Sequence, residues 1–208
     1  MELFCRALTT TSVRSLAMRR LVVLFFAAAA LPAGCGGGPS ATTAVNPNAK
    51  EHSPPGDIPD NQVFVPYKPA GAGFVVKVPE GWGQRANGHA VVFTSSLNSV
   101  AVEGRSAAHA PTQVEARQVL VPQLAKANRG FRLLAVNVVR RPAGAALHLV
   151  YETRSSPNAV TGKQTVQTVE RYIFYRSGRE AVLTLSGAKG ADNVDPWRTV
   201  SSSLRWSP

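Results

Sequence analysis

From Phe131 to Ser186 the chain is a succession of strand-length runs, and this stretch limits the fold more than any other. The runs are Phe131 to Arg140, Ala145 to Thr153, Thr165 to Tyr175 and Ala181 to Ser186. Leu147, Leu149 and Tyr151 alternate with His148, Val150 and Glu152, and Ala181, Leu183 and Leu185 alternate with Val182 and Thr184. A period of two sends successive side chains to opposite faces, so each strand has one strongly apolar face to bury. Pro142-Ala143-Gly144 joins the first two runs and Arg176-Ser177-Gly178-Arg179 the last two, each with a glycine suited to a tight turn. The four runs read as an antiparallel meander.

Further strands precede it. Phe74-Val75-Val76-Lys77-Val78-Pro79 is rich in β-branched residues, and Pro79-Glu80-Gly81-Trp82 ends it with turn chemistry and a large aromatic. Ala90 to Thr94 and Val100 to Gly104 follow, separated by the polar Ser95 to Ser99 turn. Thr112-Gln113-Val114-Glu115 has the spacing of a capping box, so a helix starts there. Val114, Gln118, Val121, Leu124 and Ala125 form its stripe, and Asn128 with Gly130 ends it. Pro122 removes a backbone donor inside that helix and predicts a kink or break near Gln118. Asp195-Pro196-Trp197 reads as an N-cap followed by proline at the first helical position, opening a closing helix that carries Trp197, Val200 and Leu204 onto the sheet, with Trp206 at its end.

The beginning of the chain has a different character. Arg19 and Arg20 precede an apolar run from Leu21 to Leu31, followed by Pro32-Ala33-Gly34-Cys35. A basic n-region, a short apolar h-region and small residues at a cut site mark an export signal, and the run falls short of the roughly 20 apolar residues of a membrane span. Met18 is the expected true start. Leu31 to Cys35 resembles a bacterial lipobox, with Pro32 where Leu is usual. The expectation is cleavage after residue 34 and acylation of Cys35, which leaves an exported, lipid-anchored protein at the outer face of the cell membrane. The alternative is an ordinary secretory cut near Ala33 with an unmodified Cys35. Two or three acyl chains hold durably, because each buried methylene contributes about 0.8 kcal/mol while one chain holds only marginally. Residues 35–62, rich in Gly, Pro, Ser, Thr, Ala and Asn, read as a tether, and residues 63–208 as one domain.

The chemistry-bearing residues are dispersed. His52, His89, His109 and His148 have no metal-ligand spacing, and with 1–34 removed only Cys35 is left as a thiol, so neither a metal nor an internal disulfide is expected. No Gly-x-Ser-x-Gly elbow and no phosphate-cradling glycine loop occurs. A carboxylate site could arise only by convergence of Glu103, Glu152 and Glu170 from separate strands. No catalytic residue and no cofactor is expected.

The whole chain has 23 Lys and Arg against 12 Asp and Glu, and loss of Arg6, Arg14, Arg19, Arg20 and Glu2 with the leader leaves 19 against 11, an excess of +8. Basic residues recur at Arg129, Arg132, Arg140 and Arg141, a candidate binding patch, and at Arg171, Arg176 and Arg179. Beside anionic lipid such charges are attracted over about a Debye length; the alternative is a dispersed solvated surface. Export separates the domain from nucleic acid, which is excluded as a partner on that ground.

Gly73-Phe74 with Val76, Val78-Pro79-x-Gly81-Trp82, Tyr172-x-Phe174 in the penultimate long strand and Ser203-Leu204-x-Trp206 after a short helix resemble the PsbP/Mog1 type of domain. Joined to a lipobox signal, they resemble more narrowly the actinobacterial lipoproteins of the LpqN/LpqT type. The resemblance implies an α+β fold, an antiparallel β-sheet with helices packed on it in a PsbP/Mog1-like α/β sandwich. It also implies binding or accessory roles instead of catalysis, and carries over no catalytic residue. Two readings follow: a non-catalytic module binding an envelope glycolipid in the cleft between sheet and helix, or a protein partner on an open sheet face, and alternatively an envelope hydrolase acting through the dispersed carboxylates. The oligomeric state is not legible in the sequence.

Overall fold

The computed structural model describes residues 56–158 and 160–208. The leader, Cys35 and the tether as far as Pro55 lie outside the described residues. The strands and helices run, in chain order, β1 (Phe64–Tyr67), β2 (Phe74–Pro79), β3 (Gly83–Asn87), β4 (Ala90–Ser95) and β5 (Asn98–Ser106), then α1 (Gln113–Glu115), a π-helical turn (Ala116–Leu120) and α2 (Val121–Ala127). They continue with β6 (Arg132–Arg141), β7 (Gly144–Arg154), β8 (Val166–Arg176), β9 (Arg179–Ala188), α3 (Val194–Ser203) and β10 (Arg205–Trp206).

The meander is the heart of the sheet. β6 to β9 pair in succession, β5 adds to β9 with Val100 opposite Leu185, and β4 and β3 extend that edge, giving the antiparallel order β3-β4-β5-β9-β8-β7-β6. A second sheet, β1-β2-β10, forms with β2 in its middle. The fold is α+β, an antiparallel β-sheet with helices packed on it.

Cross-strand partners share a face, so the register sorts the core into two layers. On one side Phe93, Val100, Val102, Tyr172, Phe174, Leu183 and Leu185 meet Phe74, Val76 and Val78 of β2 and Trp197, Val200 and Leu204 of α3 and its end. On the other, Val136, Leu147, Leu149, Tyr151, Val169, Ile173 and Val182 meet Ala116 and Leu124.

The capping box is formed: the Glu115 amide donates to Thr112 Oγ1 at 3.2 Å and the Thr112 amide to Glu115 Oε2 at 2.9 Å. These contacts hold the Glu115 carboxyl below its usual value, the Thr112 amide first and its hydroxyl second. The break forced by Pro122 takes the form of the π turn, in which the Val121 amide reaches back to the Ala116 carbonyl. The wider turn offsets the missing proline donor and relieves the ring's crowding of the preceding turn. It also shifts the helix phase. Of the expected apolar stripe Leu124 is buried and Val121 half-buried, whereas Val114, Gln118 and Ala125 are exposed, and Ala116, outside that stripe, is buried.

Two other expectations are corrected. Residues 56–62, assigned to the tether by composition, belong to the folded body: Ile58 is buried in the core, and its amide donates to Asn193 Oδ1 at 2.9 Å. Asn98 and Asn193 both donate to the Gly56 carbonyl, at 2.9 and 3.0 Å. Gly187 leaves room for this pair, since a Cβ there would meet Asn193 Nδ2 at 2.6 Å and Asn98 Oδ1 at 2.7 Å. The closing helix starts two residues earlier than expected, at Val194 with Asn193 as N-cap in place of Asp195, because Asn193 is held by Gly56 and Asn98. Pro196 therefore sits in the first turn, where its missing donor breaks no helical bond.

Candidate functional site

The cleft between the helix and the sheet is open. Its floor is Leu147 of β7 and Ile173 of β8; one wall is Ala107, Ala108 and Pro111 of the connection after β5, and the other is Ala116, Val119 and Leu120 of the π turn. The cavity measures about 270 Å³. Its walls are mostly apolar, with charge at two places. At the inner end buried Glu180 accepts from Arg105 Nε at 2.6 Å, and at the rim His109 Nε2 lies 3.5 Å from Glu115 Oε1. A buried carboxylate without a partner is strongly destabilising, so Arg105 is required where it stands.

The wall before α1 is pinned to the β8–β9 turn. The Ala107 amide donates to the Gly178 carbonyl at 3.0 Å, and the Tyr175 hydroxyl donates to the Ala108 carbonyl at 3.3 Å. Val119 is 55% exposed, a large aliphatic side chain at the mouth of the cleft. The sequence reading missed these lining residues. The one signal that could have found them is the phase slip at Pro122, which takes Val119 out of register with the core stripe.

A polar network lies on the opposite face, under α3. Tyr172 donates to Glu170 Oε2 at 2.5 Å, His148 Nε2 lies 3.1 Å from the same oxygen, and the His148 and Tyr172 rings stack at 4.3 Å. Arg141 donates to buried Ser201 at 3.1 Å and to the Tyr172 oxygen at 3.3 Å, with its guanidinium over the tyrosine ring. Burial raises the Glu170 carboxyl, but the hydrogen bonds from His148 and Tyr172 outweigh it and leave the group below its usual value. Tyr172 is pushed up to about 12, by burial first and then by Glu170. Every member has a partner inside the fold, so the network reads as a clasp between α3, β6, β7 and β8.

The three carboxylates do not gather in one site: Glu152 and Glu170 are diagonal neighbours on one face of β7 and β8, and Glu103 is on the other face. Glu103 pairs in register with Val182 on the helix side, whereas Glu170 pairs with Leu185 on the sandwich side. Glu152 is held by Lys189 at 3.1 Å and Arg132 at 2.9 Å, and these bonds keep its carboxyl low, Lys189 contributing most. Glu103 faces Arg171 at 3.8 Å.

Nor do the four arginines of the expected patch come together. Arg132 and Arg140 stand near opposite ends of β6, which at about 3.3 Å per residue is a separation of more than 25 Å. Arg132 is paired with Glu152, Arg141 points to the other face into the clasp, and Arg129 is exposed beyond α2. Alternation along one strand divides a cluster that looks continuous in sequence. Among the described residues no three metal-ligating side chains gather, and no helix is long and apolar enough to cross a membrane.

No family model matches the chain, and no curated protein matches it in sequence. Solved structures do resemble it. The solution structure of cyanobacterial PsbP (CyanoP) from Synechocystis overlays with a TM-score of 0.52 at 16% identity, covering 73% of this chain and 98% of that one. LpqN of Mycobacterium tuberculosis, described as involved in cell envelope biogenesis, overlays with 0.43 at 14% identity, over 72% of this chain and 93% of its own. The Ran-binding protein Mog1p of Saccharomyces cerevisiae gives 0.46 at 11%, over 70% and 96%. At such identity the first likeness bears on the fold alone, and the other two overlay too loosely to say more.

Proposed function

We propose that the protein is an exported lipoprotein of the LpqN/LpqT type, anchored through Cys35 at the outer face of the cell membrane, and that its domain is a non-catalytic module holding the acyl chain of an envelope lipid in the helix–sheet cleft. The observation that carries this reading is the cleft itself, with apolar floor and walls and charges only at its end and rim. Its volume is that of about nine waters, at the small end for ligand pockets, so it accommodates one acyl segment and leaves a headgroup outside. The exported anchor supplies the occupant: a domain tethered at a membrane meets acyl chains at high local concentration. Catalysis is disfavoured by the separation of Glu103 from Glu170 and by the basic side chain that engages each carboxylate.

The test uses the full-length chain extracted in non-ionic detergent, with cis-parinaric acid as fluorescent probe. Saturable binding is expected, weakened about tenfold or more in Val119→Asp, a substitution the fold tolerates because the side chain is exposed. Binding unchanged by the substitution, absence of binding, or cleavage of envelope esters by the purified protein overturns the reading. Intact mass separately checks the anchor: acylated Cys35 at the mature N-terminus is expected, and a retained leader or a bare thiol in the medium refutes it.

A further inference from the structure

The turn between β8 and β9 sets two arginines against each other. Ser177 and Gly178 both have positive φ, 47° and 80°, the geometry of a two-residue hairpin turn of type I′. That turn makes Arg176 and Arg179 direct cross-strand partners on the sandwich side of the sheet. Like charges directly opposite one another are destabilising, and such pairs are ordinarily relieved by a neighbouring carboxylate. Here no carboxylate lies within ion-pair distance: among the described residues neither guanidinium has an ion-pair partner or a side-chain hydrogen bond. The nearest acid on these strands, Glu180, is committed to Arg105.

The pair faces cavities instead of bulk protein. One, of about 300 Å³, is lined by Arg176, Ser177, Arg179, Gly73 and the run from Trp206 to Pro208. Arg179 also borders a second, more polar cavity of about 200 Å³ between the turn at Ala70 to Ala72 and the end of β5. Gly73, with φ of +73°, makes this possible, because any Cβ there would occupy the place of the Arg179 guanidinium. The indole of Trp206 is fixed by its bond to the Ala143 carbonyl at 3.3 Å and by edge contact with Phe74 at 5.9 Å. The cavity therefore has two uncompensated guanidinium groups, two serine residues and a rigid flat wall.

We infer that Arg176 and Arg179, with Trp206 as a wall, form a binding site for a phosphate ester. Guanidinium groups present paired donors that match phosphate oxygens, and one dianion or diester between them removes the repulsion that the turn imposes. The phosphate can belong to a lipid headgroup at the membrane or to a soluble sugar or polyol. The site is separate from the acyl cleft, which lies on the other face of the sheet, so either can fail without the other.

Two arms of one experiment on the full-length chain in non-ionic detergent separate the sources. In the first, sn-glycerol 3-phosphate is titrated while the Trp206 indole N–H resonance is followed. In the second, the protein is reconstituted with phosphatidylglycerol nanodiscs and, for comparison, phosphatidylcholine nanodiscs, with the same resonance followed. A saturable shift in the first arm assigns free phosphate esters; a shift confined to phosphatidylglycerol assigns a headgroup. Either response must weaken about tenfold or more in Arg176→Gln and Arg179→Gln, as loss of a charge-assisted contact implies. Arg85→Gln, which removes an exposed charge from edge strand β3, must leave it within about twofold, as expected for a distant screened charge. Both arginines are exposed, so their substitution leaves the fold intact. No response in either arm, or equal loss in Arg85→Gln, overturns the site.

Discussion

The two faces of the seven-stranded sheet are finished in different ways. On the sandwich side β2, β10 and α3 close the sheet, and Phe74, Val76, Val200 and Leu204 have no measurable exposure. On the helix side a single helix, interrupted by the π turn, packs over the strands from β6 to β8, and the sheet beyond it has polar residues, Glu103, Arg171 and Thr184. Arg171 is largely buried there, with its Nε unpartnered, and burial holds its pKa below the usual arginine value. One face is a closed core and the other a partly covered surface with a cleft. Stability and access are thus assigned to opposite sides of the same strands.

The contrast predicts unequal responses to truncation. Phe74→Ala on the closed side is expected to destabilise by about 4 kcal/mol, since the cavity cannot collapse between two sheets, whereas Leu124→Ala on the open side loses about 2 kcal/mol, near the lower end of such substitutions. Urea midpoints at constant slope measure both. Equal losses would show the helix side to be as tightly packed as the other.

The clasp under α3 gives the closed face an acid limit. Glu170 has a lowered carboxyl pKa in the folded protein, so its contribution is complete above the unfolded value of 4.5 and is lost as pH falls through the folded value. With partial solvent screening this amounts to about 1 kcal/mol. Urea titrations between pH 7 and pH 3 should show it, and Glu170→Gln should flatten that component of the acid slope. An unchanged slope would remove Glu170 from the account. The smallest effect belongs to the helix side. Thr112→Ala removes the capping box and is expected to lower stability by about 0.5–1 kcal/mol, with faster amide exchange confined to Gln113 to Leu120.

Much of this architecture is legible from local pattern. The four-run meander, the capping box and the break at Pro122 all depend on residues within a few positions of one another. β1, β3 and β10 are not legible for equally physical reasons. β1 contains Pro66 and survives as an edge strand, β3 is exposed at every position and lacks an apolar face, and β10 has only two residues. The candidate sites were less visible still. Arg140 and Arg141 are neighbours in sequence and belong to opposite faces, while Arg176 and Arg179 become partners only through the handedness of a two-residue turn.

The sequence by itself determined the strand periods, the helix start and its interruption, because each follows from torsional preference and hydrogen bonding over a few residues. Only the tertiary structure decided which face each strand turns toward the helix, that Ile58 joins the core, and that a cleft and an arginine pair open at one end of the sheet. Those outcomes depend on register and on the stacking of layers, where a shift of one residue exchanges the two faces and disperses every side chain that now converges.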